Sequence, residues 1–154
     1  MYATRSATAS DSSLIAAHRK AMFVAMGHTT VDLESMTRNF EAWVARKLAE
    51  GTYLGWITFD GESPVASVGL LLLDWPPIPF DPAGVLRGYL LNVFVEAEYR
   101  RRGLARSLLQ ISLDESRRRG IRCVSLHASE EGRSLYQALG FTASNEMCRT
   151  HLES

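Results

Sequence analysis

The stretch from residue 87 to residue 129 constrains the fold most, because two apolar segments in it enclose an amphipathic helix. The first segment, RGYLLNVFVEAEY, is apolar and β-branched, and the second, RCVSLHAS, is short and apolar. Between them, apolar residues recur at helical spacing from about Gly103 to Arg119. A strand, a helix and a second strand at this spacing predict a right-handed parallel crossover.

The residues before this unit predict two helices and a hairpin. The first helix runs from Ser10 or Asp11 to Gly27, and the second runs from about Asp32 to Gly51. The segments TYLGWITFD and PVASVGLLLLD then alternate with a period of two around a DGES turn, which is typical of a β-hairpin.

The remaining segments complete the predicted fold. The stretch DWPPIPFDP holds four of the five prolines and predicts a stiff connector. A short helix is predicted near Glu130 to Leu139, and a final strand is predicted around EMCRTHL at residues 146–152. We therefore expect residues 1–154 to form a single α/β domain whose mixed central sheet has one parallel strand pair flanked by helices.

Charge and composition limit the classes of partner. Lysine plus arginine equals aspartate plus glutamate at 17 each, so no net field draws the chain to nucleic acid or to an anionic membrane. The apolar run VASVGLLLL has about half the length of a membrane-spanning helix. Cys123 and Cys148 form neither a disulfide framework nor a metal-binding pattern, so we expect a cytoplasmic protein without a metal ion.

The motif RRRG occurs at both ends of the central helix, at residues 100–103 and 117–120. At the C-terminal end the arginines face the negative end of the helix dipole and follow Asp114 and Glu115, so no ligand is needed there. At the N-terminal end the same charges are mismatched to the dipole by about 0.3–1 kcal/mol each, which a bound anion would reverse.

The local backbone at the first RRRG motif is suited to a phosphate group. A strand-to-helix turn presents free amides, and Gly103 lets a ligand approach the main chain. The loop has neither a Walker sequence nor a dinucleotide fingerprint. Taken alone, the pattern favours a basic turn with an ordinary glycine over an anion site.

The surrounding sequence resembles the GNAT superfamily of N-acetyltransferases. Its motif A, V-x-P-x-x-R/Q-x-x-G-x-G/A, is matched by Val95, Arg100, Gly103 and Ala105, although Ala97 replaces the usual proline. Motif B is matched by SEEGRSLYQALGF, in which a tyrosine precedes Gly-Phe, although a serine stands where an asparagine often ends the second parallel strand. The order of predicted elements also agrees with the family.

The resemblance implies acetyl-CoA as cosubstrate, bound in a cleft between the two parallel strands. The pantetheine arm is expected to pair with the main chain of residues 93–95, and the phosphates with the turn and arginines at residues 100–106. The implied cofactor-binding residues are Val93, Phe94, Val95, Arg100, Arg101, Arg102, Gly103, Leu104, Ala105, Arg106, Ser129 and Tyr136.

The resemblance also implies catalytic roles. Tyr136 is expected to be the general acid for the departing thiolate, although composition alone favours a packed core residue beside Leu135 and Leu139. The backbone amide of Val95 is the expected oxyanion donor. Glu96 and His127 are the candidate bases, because an amine with an ordinary pKa is protonated at neutral pH.

The predicted function is acetyl transfer from acetyl-CoA to a primary amine by direct attack in a ternary complex. The acceptor is a small molecule, an amino acid or a protein amine, and a homodimer is compatible with this function. We expect acceptor contacts from residues 25–30 and from the loop with Trp75 and Phe80. The alternatives are a non-catalytic CoA-binding sensor and, less consistent with the charge balance, a nucleic-acid binder.

Overall fold

The computed structural model describes residues 1–28 and 32–150 of the chain. The strands are β1 (Tyr2–Ser6), β2 (Tyr53–Asp60), β3 (Ser63–Asp74), β4 (Leu86–Val95) and β5 (Val124–Leu126). The helices are α1 (Ser12–Ala25), α2 (Leu33–Glu50), α3 (Leu104–Arg118) and α4 (Arg133–Ala138). Short 3-10 turns occupy Ala9–Asp11 and Ala97–Tyr99.

The strands form one mixed sheet in the order β1-β2-β3-β4-β5. The first four strands are antiparallel neighbours, and β5 is parallel to β4. Helix α3 connects β4 to β5, so the predicted parallel crossover and the expected mixed α/β fold are confirmed.

Helices cover both faces of the sheet. On one face, α3 and α4 pack on a cluster that includes Leu70, Leu90 and Leu108. On the other face, α1 and α2 pack on a cluster that includes Val44 and Tyr53. The sheet is therefore buried in a three-layer arrangement, and the apolar face of each helix is used.

The helix ends follow the predicted capping signals. Asp32 Oδ1 accepts a hydrogen bond from the Ser35 amide at 2.8 Å, which starts α2. Gly51 and Gly120 adopt left-handed φ angles of 77° and 74° after α2 and α3. These residues end their helices where the sequence predicts.

All three arginines of the second RRRG motif form ion pairs with acidic residues of α3. Arg117 pairs with Asp114 at 2.9 Å, and both Arg118 and Arg119 pair with Glu115. The hydrogen bond from Arg118 is the main reason that the pKa of Glu115 falls to about 2. The expectation of a ligand-independent end of α3 agrees with these contacts, although Asp114 pairs with Arg117 and not with Arg118.

The predicted final strand at residues 146–152 is wrong for its described part. Residues 146–150 form no strand, and Met147 is 94% exposed. Glu146 instead reaches Arg87 at the edge of the sheet at 3.4 Å. Met147 and Cys148 are both exposed, so the segment has no buried apolar face that would hold it against the sheet as a strand. Residues 151 and 152 lie outside the described chain.

A buried histidine links α1 to the sheet. His18 is 5% exposed, its Nδ1 lies 2.7 Å from the Ser67 hydroxyl, and its ring stacks at 4.6 Å on Phe94. Burial lowers the pKa of His18 to about 4. The folded protein therefore keeps this imidazole neutral at pH values where an unfolded chain would protonate it.

We expect His18 to make the protein less stable as the pH falls from about 6.5 to about 4. In this window the unfolded chain binds a proton at His18 that the folded chain excludes. The free energy of unfolding then falls by up to about 1.4 kcal/mol per pH unit from this group. Urea denaturation of the wild type and of His18→Asn measures the effect without the contribution of the carboxylates, which both proteins share. The stability difference should change steadily in favour of the variant as the pH falls, and a constant difference would contradict the assignment.

Candidate functional site

Strands β4 and β5 separate and open a cleft. They pair only where Gly88, Tyr89 and Leu90 face residues 124–126, whereas β4 continues to Val95. Beyond Leu90 the two strands enclose a cleft of about 1070 Å³. The cleft is lined by α1, the second half of β4, the start of α3 and the segment from β5 to α4. The predicted cleft between the parallel strands is therefore present.

The cleft-facing edge of β4 carries free backbone groups. The Glu96 amide bonds to Val65 O of β3 at 2.8 Å. Because successive backbone groups of a strand point to opposite edges, the amides of Val93 and Val95 point to the edge that β5 leaves open. Consistent with this direction, Arg100 Nε donates to Val95 O at 3.2 Å from that side. An extended ligand with amide groups can bind along this edge.

A β-bulge changes which side chains of β4 face α1. The β3 partners of Leu91 and Phe94 are only two residues apart, so β4 carries one extra residue in between. Asn92 lies in this bulge with a φ of 56°, which is uncommon for a residue other than glycine. Leu90 faces α3, whereas Phe94 stacks on His18 of α1. The bulge thus switches the faces of the strand just before the open edge.

The start of α3 offers amides and open space to an anion. Gly103 has a φ of 79°, and a Cβ added there would meet no heavy atom within 4 Å. The Ser107 amide makes the first bond of the helix, to Gly103 O at 3.0 Å. The three amides before it have no acceptor within the helix. Free amides beside open space suit an anionic group such as a phosphate.

The first arginine triplet is divided between two surfaces. Arg100 and Arg101 line the cleft, together with Arg106 from the first turn of α3. Arg102 instead donates to the Tyr2 hydroxyl at 2.9 Å, and its guanidinium lies 5.1 Å from the Tyr99 ring. The structure therefore separates the three adjacent arginines, which the sequence does not.

Tyr136 lies at the wall of the cleft formed by α4. Its side chain is 8% exposed, and burial raises its pKa above the ordinary value for a phenol. A Cβ on Gly132 would lie 2.7 Å from the ring, so Gly132 allows the tyrosine to pack where it does. Within residues 1–28 and 32–150, no hydrogen-bond partner of the hydroxyl is found. A protonated phenol is therefore available to a ligand in the cleft.

Most of the predicted site residues meet in this one cleft. Those that line it are Val93, Phe94, Val95, Arg100, Arg101, Gly103, Leu104, Ala105, Arg106, Ser129 and Tyr136. Arg102 and Glu96 are not part of the lining. The Ser129 hydroxyl accepts a hydrogen bond from the Gly132 amide at 3.1 Å and so supports the start of α4.

The acceptor regions predicted from the loops are only partly at the cleft. Ala25 and Met26 line it, whereas Trp75 and Phe80 do not. Trp75 stacks instead with Arg87, whose guanidinium lies 4.5 Å from the ring. The predicted contacts of Thr29 and Thr30 lie outside the described residues.

Arg19, Asn92 and Tyr89 are among the cleft residues that were not predicted from the sequence. Arg19 and Asn92 are hydrogen-bonded to each other at 2.7 Å, and Tyr89 is hydrogen-bonded to Nδ1 of the candidate base His127. Arg19 is a lone arginine on an amphipathic helix, 73 residues before Asn92. No spacing in the sequence indicates that the two side chains meet.

None of the helices in residues 1–28 and 32–150 is both long enough and apolar enough to cross a membrane. The same residues contain no group of three or more His, Cys, Asp or Glu side chains that could hold a metal ion.

Comparisons with known proteins agree with this geometry. The model of the acetyltransferase (GNAT) family matches residues 17–141. No curated protein matches the chain significantly.

Among solved structures, a GCN5-related N-acetyltransferase from Ralstonia eutropha JMP134 superposes with a TM-score of 0.93. It is 35% identical, and the alignment covers 99% of this chain and 100% of that one. A predicted acetyltransferase with acetyl-CoA from Clostridium acetobutylicum has a TM-score of 0.90 and 26% identity, with coverage of 99% and 97%. An aminoglycoside acetyltransferase from an uncultured soil sample shares the fold, with a TM-score of 0.75, 16% identity and 99% coverage of both chains.

The family model spans most of the chain, and the Ralstonia protein is similar over its whole length. The chain therefore belongs to the acetyltransferase (GNAT) family and is an acyltransferase.

Proposed function

We propose that the chain is an acetyl-CoA-dependent N-acetyltransferase that acetylates a primary amine by direct attack in a ternary complex. The observation that carries the proposal is that one cleft contains the open edge of β4, the glycine turn of α3 and the hydroxyl of Tyr136. The similar Clostridium structure, described with acetyl-CoA, supports the same cosubstrate. A broad screen of amines that follows release of the CoA thiol tests the proposal and finds acceptors.

The residues present fit acetyl-CoA in chemical terms. Amides from Arg101 to Arg106 and the side chains of Arg100 and Arg101 can bind its phosphates, because charged donors and free helix amides both favour anions. The edge at Val93 and Val95 can pair with the amides of its pantetheine arm. Gly103 leaves room beside the main chain.

When bound, acetyl-CoA supplies an acetyl thioester to this edge of β4. Of the Val93 and Val95 amides, the one that the pantetheine arm leaves unpaired can donate a hydrogen bond to the thioester oxygen as negative charge develops there, and Val95 is the donor that the family resemblance implies. Tyr136 holds the proton for the departing sulfur, since a phenol is protonated at neutral pH even at its ordinary pKa of about 10, and burial raises the pKa of Tyr136 further. The new bond joins the amine nitrogen to the acetyl carbon as the carbon–sulfur bond breaks.

His127 is a better-placed base than Glu96. His127 lines the cleft, whereas Glu96 does not. A base at this position requires that Nδ1 of His127 donates its proton to the Tyr89 oxygen, which leaves Nε2 free to accept one. The cleft therefore supplies an acid on one wall and a proton acceptor on the edge of β5.

Replacement of Gly103 tests the role of the glycine turn. Gly103→Val should weaken acetyl-CoA binding at least tenfold, because its side chain occupies the space beside the free amides. A side chain at a φ of 79° also costs about 1–2 kcal/mol of stability. Gly120→Val is a matched control, since Gly120 has a φ of 74° and open space at the other end of α3. Both variants should lose similar stability in urea, and only Gly103→Val should lose affinity in calorimetry. Equal affinities would show that the turn does not bind the cosubstrate.

Replacement of the arginines one or two at a time tests the divided arginine triplet. The double variant Arg100→Gln, Arg101→Gln should bind acetyl-CoA roughly tenfold more weakly, with a flatter dependence of affinity on salt. Arg102→Gln removes an adjacent charge that contacts Tyr2, and its affinity should stay close to that of the wild type. An equal loss in both proteins would indicate a general basic patch.

Replacement of Tyr136 tests its role as the general acid. Tyr136→Phe keeps the packed ring and removes the hydroxyl, so turnover should fall by roughly tenfold to a hundredfold while acetyl-CoA affinity is kept. Tyr99→Phe is the control, because Tyr99 also lines the cleft but its hydroxyl donates to Asp60 at 3.1 Å. Wild-type turnover in Tyr136→Phe would make Tyr136 a packing residue. Tight acetyl-CoA binding without turnover on any amine would favour the CoA-binding sensor.

A further inference from the structure

Arg19 is a cation with few partners at the wall of the cleft. Among the described residues its guanidinium makes one hydrogen bond, from Nη1 to Asn92 Oδ1 at 2.7 Å. Its Nε is buried and has no partner, and no carboxylate of the described chain forms an ion pair with it. Burial lowers the pKa of Arg19, because a charged group that leaves water requires compensation. An anionic group on a ligand would supply that compensation.

Aromatic rings and a hydrogen-bonded chain hold Arg19 in place. Its guanidinium carbon lies 5.0 Å from the ring centre of Phe23 and 4.6 Å from that of Phe40. Asn92, which accepts from Arg19, donates in turn to the buried Tyr53 hydroxyl at 3.0 Å. The orientation of the guanidinium is therefore set before a ligand binds.

The backbone is adapted to this chain of hydrogen bonds. A Cβ at Gly69 would lie 2.0 Å from the Tyr53 hydroxyl, so only glycine leaves room for that oxygen. Asn92 adopts its left-handed conformation at the bulge and is 3% exposed. A glycine within β3 and a left-handed asparagine within β4 each lower the stability of the fold. Together they allow the contacts that position Arg19.

The position of Arg19 along β4 separates it from the predicted phosphate site. Asn92 directly precedes the open edge at Val93 to Val95, whereas the arginine and glycine turn follows that edge. A ligand group on Arg19 therefore lies at the acceptor end of the edge, roughly 3–10 Å along the strand from the thioester site. This distance suits an anion and an amine carried by one small molecule.

We propose that Arg19, positioned by Asn92 and Tyr53, binds the carboxylate of an amine acceptor, so that the substrate class is a small amino acid or similar amino carboxylate. The inference rests on the proposed N-acetyltransferase function. A carboxylate is favoured over a phosphate because Arg19 is a single cation that balances a monoanion, whereas a phosphate monoester carries a charge of about −1.5 to −2 at pH 7. The other cleft arginines, Arg100, Arg101 and Arg106, stand at the opposite end of the open edge.

A binding experiment tests the proposal without turnover. The probes are N-acetylated amino acids and their carboxamides, offered in pairs to the CoA-loaded protein in calorimetry. At least one carboxylate should bind ten times or more tightly than its carboxamide. In Arg19→Gln this preference should fall to near one, while affinity for acetyl-CoA is unchanged. The proposal would be overturned if no probe bound or if both members of every pair bound equally. It would also be overturned if Arg19→Gln lost more affinity for acetyl-CoA than for the carboxylate probes.

Two further variants distinguish the loss of a carboxylate contact from a general disturbance of the cleft wall around Arg19. Asn92→Asp keeps the guanidinium and its packing but adds an internal countercharge, so it should also abolish the carboxylate preference. Lys20→Gln removes a neighbouring charge of α1 that pairs with Glu34, and the preference should remain. A preference retained in Asn92→Asp, or lost in Lys20→Gln, would contradict a carboxylate site at Arg19.

Turnover assays separate this inference from the proposed function. In the amine screen, amino acids should exceed their carboxamides in kcat/KM at least tenfold, mainly through KM. Phosphorylated amino sugars test a phosphate as the anion that binds Arg19. A preference for them over amino carboxylates would overturn the assignment of a carboxylate. If CoA thiol were released only with amines that carry no anionic group, the acetyltransferase function would be upheld and the carboxylate site rejected.

Discussion

The extra residue in β4 is the constraint on which the site depends. The bulge at Asn92 changes the face of the strand, so that the residues after it present their backbone to an edge that β5 no longer covers. A left-handed asparagine costs on the order of 1 kcal/mol. Hydrogen bonds to Tyr53 and Arg19 offset this cost in a buried environment. The same local distortion therefore directly precedes the open edge of β4 and places Asn92 beside Arg19 at the wall of the cleft.

Charge compensation distinguishes the two arginine motifs more clearly than their identical letters do. The arginines at residues 117–119 are satisfied by Asp114 and Glu115, and they face the favourable end of the α3 dipole. Arg100 and Arg101 border a cleft beside unpaired amides. Electrostatic attraction for anions is therefore local to one end of α3, in a molecule with no net charge.

The cleft places different chemistry along one strand. Basic groups and helix amides stand at the end nearest α3, a free backbone edge occupies the middle, and a lone arginine held between aromatic rings stands near α1. The phenol of Tyr136 faces the cleft from α4, and the Tyr89–His127 pair borders it from β4 and β5. This order suits a reaction in which two ligands must meet end to end.

The sequence by itself determined the parallel crossover, the helix ends and the two motifs, because hydrophobic period, glycine caps and short-range charge spacing are local properties. It could not show that Arg102 leaves the cleft for Tyr2, that residues 146–150 form no strand, or that Arg19 meets Asn92. Each of these depends on which elements the folded chain brings together. Only the tertiary structure decides such contacts, because a bulge, a strand edge and a partner 73 residues away leave no periodic trace in the chain.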